Sequence, residues 1–203
     1  MNVLVACEFS GTVRDAFRDL GHFAVSCDIL PTETPGPHYC GDVRDILTWG
    51  WDLMIAHPPC TYLTNAGVRW LHHDAKGSTD TALRWQQMRE AAEFFQLLWN
   101  APIPRVCVEN PVMHGYARKI IKDPYTQIVQ PWQYGHGETK ATCLWLKGLP
   151  PLGPTDIVSG REHRLDNLWP SPDRWKERSR TYPGIAAAMA AQWGGVVEKE
   201  AAA

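Results

Sequence analysis

Four residues, His57-Pro58-Pro59-Cys60, carry the clearest chemical potential in this sequence. They follow the apolar run Trp51-Asp52-Leu53-Met54-Ile55-Ala56, which reads as a buried strand. Two successive prolines forbid strand or helix to continue. The next side chain is a thiol, presented where a strand of an open α/β sheet ends and where such sheets bind ligands. A thiol there is a candidate nucleophile, although most free cysteines are small buried hydrophobes. A second strand, Arg105-Val106-Cys107-Val108, ends in the same manner at Glu109-Asn110-Pro111. If both strands are parallel, Cys60 and Glu109 share one sheet edge, with a carboxyl group beside a thiol.

Two further carboxylates fall on that edge. Val3-Leu4-Val5-Ala6-Cys7 reads as a buried first strand, followed by the turn Glu8-Phe9-Ser10-Gly11-Thr12. Val13, Ala16, Phe17 and Leu20 then fall on one helix face, and Gly21 stops the helix. Ala24-Val25-Ser26-Cys27 is the second strand and ends at Asp28, where an acidic side chain commonly holds ribose hydroxyls. Asp42 follows Gly41; it either accepts from an exocyclic amine of a purine or caps a helix starting at Val43.

The elements that must position these groups follow a strand–helix rhythm. Residues 31–40, with three prolines, read as loop. Residues 61–79 are polar and aperiodic, which suggests a lid directly after the candidate nucleophile. Asp80 or Thr81 caps a helix striped by Leu83, Met88, Ala91, Ala92, Phe95, Leu98 and Trp99. Gln127–Gln130 and Thr142–Lys147 read as a half-buried hairpin. Residues 148–183 are loop-rich, Gly184–Trp193 is a last helix, and the chain after Val196 reads as a frayed tail. The pattern predicts an α/β fold, a doubly wound and mostly parallel sheet, with one domain over residues 1–195 and a flexible tail at 196–203.

Bulk properties narrow the partners. The chain has 203 residues and a net charge of −2, so no global basic field marks a nucleic-acid binder. The charge is uneven, with three arginines against eight carboxylates over residues 1–60 and eight basic against six acidic residues over 138–180. The six cysteines form no C-x-x-C pair, so neither a disulfide framework nor a zinc site is indicated. His72-His73-Asp74 reads as polar loop rather than metal ligands. There is no signal peptide and no long apolar span, which implies a cytoplasmic protein without membrane contact. Among ten tryptophans most belong to the core, and some are candidates for base stacking.

These motifs, in this order, resemble the DNA cytosine-C5 methyltransferase family, and the likeness runs from Val3 to about Trp193. Phe9-Ser10-Gly11 looks like the family's first S-adenosylmethionine motif, and Asp28 and Asp42 stand where its ribose and adenine contacts fall. Pro58-Pro59-Cys60 resembles its Pro-Cys motif, Ala66-Gly67 its catalytic-loop pair, and Glu109-Asn110 its Glu-Asn motif. Tyr134-Gly135 through Lys140 is similar to a later strand motif, with Lys140 at an arginine position. The flanks His57 and Cys60 speak against amino-group methyltransferases, whose motif resembles Asp-Pro-Pro-Tyr. The resemblance implies a Rossmann-like methyltransferase fold and S-adenosylmethionine held along Phe9, Ser10, Gly11, Asp28, Asp42 and Pro58. It also implies a transient Cys60–C6 adduct, with Glu109 acting at cytosine N3. Asn110 would fix the turn or contact the base, Pro59 and Thr61 would line the acceptor site, and Lys140 would face the base or a phosphate.

The departures matter as much. Thr12 and Val13 replace further glycine, and Glu138 and Thr142 replace a glutamine and a second arginine. Only Gly148–Pro183 stands where the family inserts a target-reading region, as in small phage-encoded members, whose place would be the host cytoplasm. The acceptor therefore stays open between flipped-out cytosine in duplex DNA, single strands, RNA and a free pyrimidine nucleotide. A homo-oligomer would offer a missing clamp in trans. A non-catalytic nucleotide-binding protein is the remaining reading.

Overall fold

The computed structural model describes residues 1–72 and 80–195. His73, Asp74, the rest of the sequence-inferred lid up to residue 79, and the tail at 196–203 lie outside the described residues. Seven strands form one sheet: β1 (Asn2–Ala6), β2 (Phe23–Asp28), β3 (His38–Cys40), β4 (Leu53–Ala56), β5 (Arg105–Pro111), β6 (Gln127–Val129) and β7 (Thr142–Lys147). Their spatial order is β3-β2-β1-β4-β5-β7-β6. β1 to β5 run parallel, and β7 inserts antiparallel between β5 and β6. This is the doubly wound, Rossmann-like sheet expected from the sequence.

The central strands are apolar on both faces because helices cover both. Leu4, Met54, Val106 and Trp145 face the side of α2 (Thr81–Trp99) and α3 (Gly115–Ile121), which contribute Ala92, Phe95, Ala117 and Ile121. Val3, Val5, Ile55 and Leu144 face α1 (Thr12–Asp19) and α5 (Pro183–Gly194), which contribute Val13, Phe17, Ala186 and Trp193. Asp80 caps α2 by accepting from the amides of Ala82 and Leu83.

Several local expectations are corrected. The 31–40 segment contains β3, an edge strand recruited by parallel pairing with Ser26–Asp28. Asn65–Leu71, inside the aperiodic lid, is a 3-10 helix. Thr142–Leu144 are buried together with Trp145, so β7 is enclosed by its neighbours instead of half-buried. The proline-rich 148–183 stretch carries a short helix, α4 (Arg174–Ser179), and α3 had no reading from sequence. Leu20 and Leu83 are exposed, while Arg14 is wholly buried. Arg14 is held by Asp15, Ser26, Thr32 and Thr34, so a polar network replaces the apolar contact that Leu20 was expected to make.

Candidate active site

Parallel register fixes which side chains meet at the carboxyl edge. Ala6 pairs with Cys27 on one side and Ala56 on the other, and Ala56 pairs with Val108. One residue further along, Asp28, Cys7, His57 and Glu109 form a row across four strands. The antiparallel β7 adds its N-terminal end, since Thr142 pairs with Pro111. A cleft of about 1300 Å³ opens over this row. Phe9, Asp28, Asp42, Pro59, Cys60, Thr61 and Lys140 line it. Seven of the site residues read from the sequence thus share one surface.

The other five do not line the cleft and act from behind it. Pro58 is buried, and its carbonyl accepts a 3.3 Å hydrogen bond from Asn110 Nδ2. Asn110 thereby bridges the end of β5 to the turn after β4. Ser10 is buried against Glu8, with 3.3 Å between the Ser10 hydroxyl and Glu8 Oε1, and its Oγ accepts from the Thr12 amide. Gly11 adopts a left-handed backbone (φ 76°), and a Cβ there would meet Thr34 and Arg14. Glu109 lies beside His57, whose Nδ1 is 3.2 Å from Glu109 Oε2.

Charges around the thiol are coupled. Burial pushes the Cys60 thiol up, and the Glu109 charge pushes it further, against the opposing charges of Lys140 and Arg178. For Glu109, burial acts to raise the carboxyl, but the His57 hydrogen bond, the Lys140 charge and Thr142 together hold it below the usual glutamate value. A Glu109 that donated a proton to cytosine N3 would want a raised carboxyl, and the surroundings here act in the opposite direction. His57 and Lys140, distant in sequence, are the cause.

The other end of the cleft carries two carboxylates. Asp28 Oδ1 accepts from the Leu30 amide, while burial raises its carboxyl. Asp42 caps the 3-10 turn at Val43–Asp45 by accepting from the Arg44 amide at 2.9 Å, and it pairs with the Arg44 guanidinium at 2.8 Å. Capping is thus satisfied, and Asp42 still lines the cleft. Glu8 fills the N-terminus of α1, accepting from the amides of Val13 (2.7 Å) and Arg14 (3.2 Å). A helix terminus of this kind would otherwise attract a phosphate. The residues present therefore fit a phosphate-free adenosyl donor such as S-adenosylmethionine better than a dinucleotide.

Sequence reasoning missed what the 148–183 segment does. Trp175 on α4 packs on Phe9 with ring centroids 5.8 Å apart. Arg180 makes paired bonds of 2.7 and 3.0 Å to Glu33. Arg178 and Ser179 line the cleft. The segment thus straps the Phe9 end of the cleft, and no local periodicity announces it. His57 was also passed over as a chemical group; its place before Pro-Pro-Cys was the available signal. Among the described residues no cluster of His, Cys, Asp or Glu has metal-binding geometry, and no helix is long and apolar enough to cross a membrane.

No protein-family model matches the chain, and no curated protein matches it. Among solved structures, it is similar to a putative DNA modification methyltransferase encoded within an E. coli prophage. Identity there is 15% and the TM-score 0.47, covering 78% of this chain and 52% of that one. It is also similar to the Entamoeba histolytica methyltransferase EhMeth, at 14% identity and a TM-score of 0.47, covering 78% and 57% of the two chains. A third is the S. pombe Dnmt2 methyltransferase, at 15% identity and a TM-score of 0.43, covering 74% and 51%. The chain spans just over half the length of each.

Proposed function

We propose that this chain transfers a methyl group from S-adenosylmethionine to cytosine C5 in DNA, with Cys60 as the nucleophile. One observation carries the reading. Cys60, beyond the carboxyl end of β4, and Lys140 line one end of a cleft whose other end is lined by Phe9, Asp28 and Asp42, and Glu109 on the adjacent strand β5 sits behind the thiol end against His57. A thiol nucleophile, a cation and two carboxylates then lie along one continuous surface, with a third carboxyl group behind it.

Each residue has a task in that scheme. Cytosine C5 is a poor nucleophile until a thiolate adds at C6 and turns the ring into an enamine. Cys60 supplies the thiolate, and the two prolines before it, with the Asn110 clamp on Pro58, hold its approach. Glu109 acts at N3, which makes C6 electrophilic. Lys140 offsets negative charge on the base or its phosphate. Phe9, Asp28 and Asp42 hold the donor, which supplies an electrophilic methyl on a sulfonium. Loss of the C5 proton and of the thiol then restores the aromatic ring. The ring face is reachable only when the base has left a stack, so the cytosine enters flipped out.

The test is incubation of the purified protein with methyl-labelled S-adenosylmethionine and, in parallel, duplex DNA, single-stranded DNA, RNA and dCMP, followed by identification of the labelled base. Label at C5 of cytosine in DNA is the expected result. Label only in RNA or dCMP keeps the chemistry and replaces the acceptor. Absence of label in every arm overturns the reading.

A further inference from the structure

A few polar and aromatic contacts hold the strap over the cleft. Leu165 and Tyr182 are buried and anchor its two ends, and no residue between them is buried. α4 therefore has no core of its own to keep it in place. Trp175 rests on Phe9, with ring centroids 5.8 Å apart and planes inclined by 58°. Arg180 donates to both carboxylate oxygens of Glu33, at 2.7 and 3.0 Å. The Glu33 amide donates in turn to the Phe9 carbonyl at 2.8 Å. Both attachments thus converge on the turn after β1. A third reaches from the thiol end, where Lys140 Nζ donates to the Arg180 carbonyl at 3.3 Å. An element hung by its ends, with one ion pair and one ring contact between them, has a closed state and an open state within reach.

The closed state has a face toward the cleft. Trp175 is half exposed, and it lines the cleft together with Phe9, Asp28 and Asp42. Two inclined rings make a corner in which a planar purine lies flat on one and meets the edge of the other. We propose that Trp175 is a donor-binding residue carried on a latched cover, and that the Arg180–Glu33 pair is the latch. The inference rests on the methyl-transfer reading, since its ligand is the adenosyl donor. The latch suits a part that must open in every cycle. A two-bonded arginine–carboxylate pair is geometrically specific. Its side chains are 33% and 34% exposed, so water competes for it and the pair is weak enough to break. Closure sequesters the donor, and opening releases the demethylated product.

The cover and its ligand are measurable without the acceptor. Wild type, Glu33→Gln, Trp175→Phe and Trp175→Ala are exposed to trypsin with and without S-adenosylhomocysteine, the demethylated product. Cleavage after Lys176 and Arg178 on α4 is followed by mass spectrometry and reports how often the strap opens. Calorimetry gives the affinity for the same ligand. Glu33→Gln without ligand is expected to be cut about threefold to fivefold faster than wild type, the range of an exposed two-bonded pair. S-adenosylhomocysteine is expected to slow cleavage of the wild type at least fivefold. A base stacked on an aromatic side chain is worth roughly 5- to 100-fold in affinity. Trp175→Ala should therefore bind at least fivefold more weakly, and Trp175→Phe should stay within threefold of wild type. Wild-type affinity in Trp175→Ala overturns the proposal, as does a wild-type cleavage rate in Glu33→Gln. If Trp175→Ala fails to fold, Trp175→Leu, which keeps apolar bulk without a ring, decides in its place. No binding of S-adenosylhomocysteine by the wild type strikes the donor reading and this proposal together, whereas binding that ignores Trp175 strikes this proposal alone.

Discussion

The hydrogen bond from Asn110 to Pro58 links the ends of β5 and β4, and it sets the turn that presents Cys60. Replacing Asn110 by alanine removes that bond and leaves the buried Pro58 carbonyl without its donor. A stranded buried acceptor costs about 1–3 kcal/mol. Asn110 Oδ1 is itself buried without a partner among the described residues, so its removal returns about 1 kcal/mol of that. The net loss is at most about 2 kcal/mol, which for a domain of this size lowers Tm by no more than about 8 °C. Catalysis should suffer more, because a misplacement of about 1 Å costs on the order of 100-fold. The assay pairs thermal unfolding with kcat under saturating donor and acceptor, and it adds donor titration, which should be unchanged. Asn110→Asp should be worse on both counts, because it turns an acceptor toward an acceptor. A variant Asn110→Ala with kcat within threefold of wild type would refute the clamp. So would a loss of kcat that merely tracks a collapsed Tm.

Other outcomes follow from single features. Cys60→Ser should abolish turnover while donor affinity measured by calorimetry stays at the wild-type value; turnover at the wild-type rate would remove Cys60 as nucleophile. Gly184→Ala drives a Cβ into the Tyr134 carbonyl oxygen, so α5 cannot seat unchanged, and urea unfolding should show a loss of about 3 kcal/mol. Glu138 accepts from Tyr182 at 2.7 Å and from Arg164 at 2.9 Å; burial raises its carboxyl, but these bonds outweigh that and hold it below the usual value. A depressed carboxyl stabilises the fold above its unfolded value near 4.5, and that stabilisation disappears as the pH falls through the folded value. Glu138→Gln should therefore cost about 1–2 kcal/mol at neutral pH. Denaturant midpoints of the two proteins should converge in acid, and a gap that persists there would count against the ion pair.

The parts legible in the sequence are those written in local pattern. β1, β4 and β5 are unbroken apolar runs, and two of them end at proline, so the carboxyl edge that brings Glu109 near the Cys60 turn could be read directly. α2 was legible because Asp80 caps a long amphipathic stretch. The illegible parts depend on distant partners. β3 has three residues and exists because β2 pairs with it. α4 has no buried residue of its own and is placed by Phe9 and Glu33, far away in sequence. Arg14 sits on the apolar face of α1 because Thr32 and Thr34 come to meet it, and no periodicity foretells that. The direction of the Glu109 carboxyl was illegible for the same reason: it is set by His57 and Lys140.

The carboxylate of Glu8 at the start of α1 has a consequence for competition. ATP and nicotinamide dinucleotides carry the same adenosine as a sulfonium donor and outnumber it in most cells. What separates them is phosphate, and the amides best placed to welcome phosphate are already taken by a side chain of the protein. On the proposed donor reading, an adenine nucleotide that entered the cleft would bring its charge toward Asp28 and Asp42 without a compensating donor at the helix end. Selectivity among adenosyl compounds would then be set by a group the chain supplies to itself. Changing Glu8 to glutamine would test whether millimolar ATP then becomes an inhibitor.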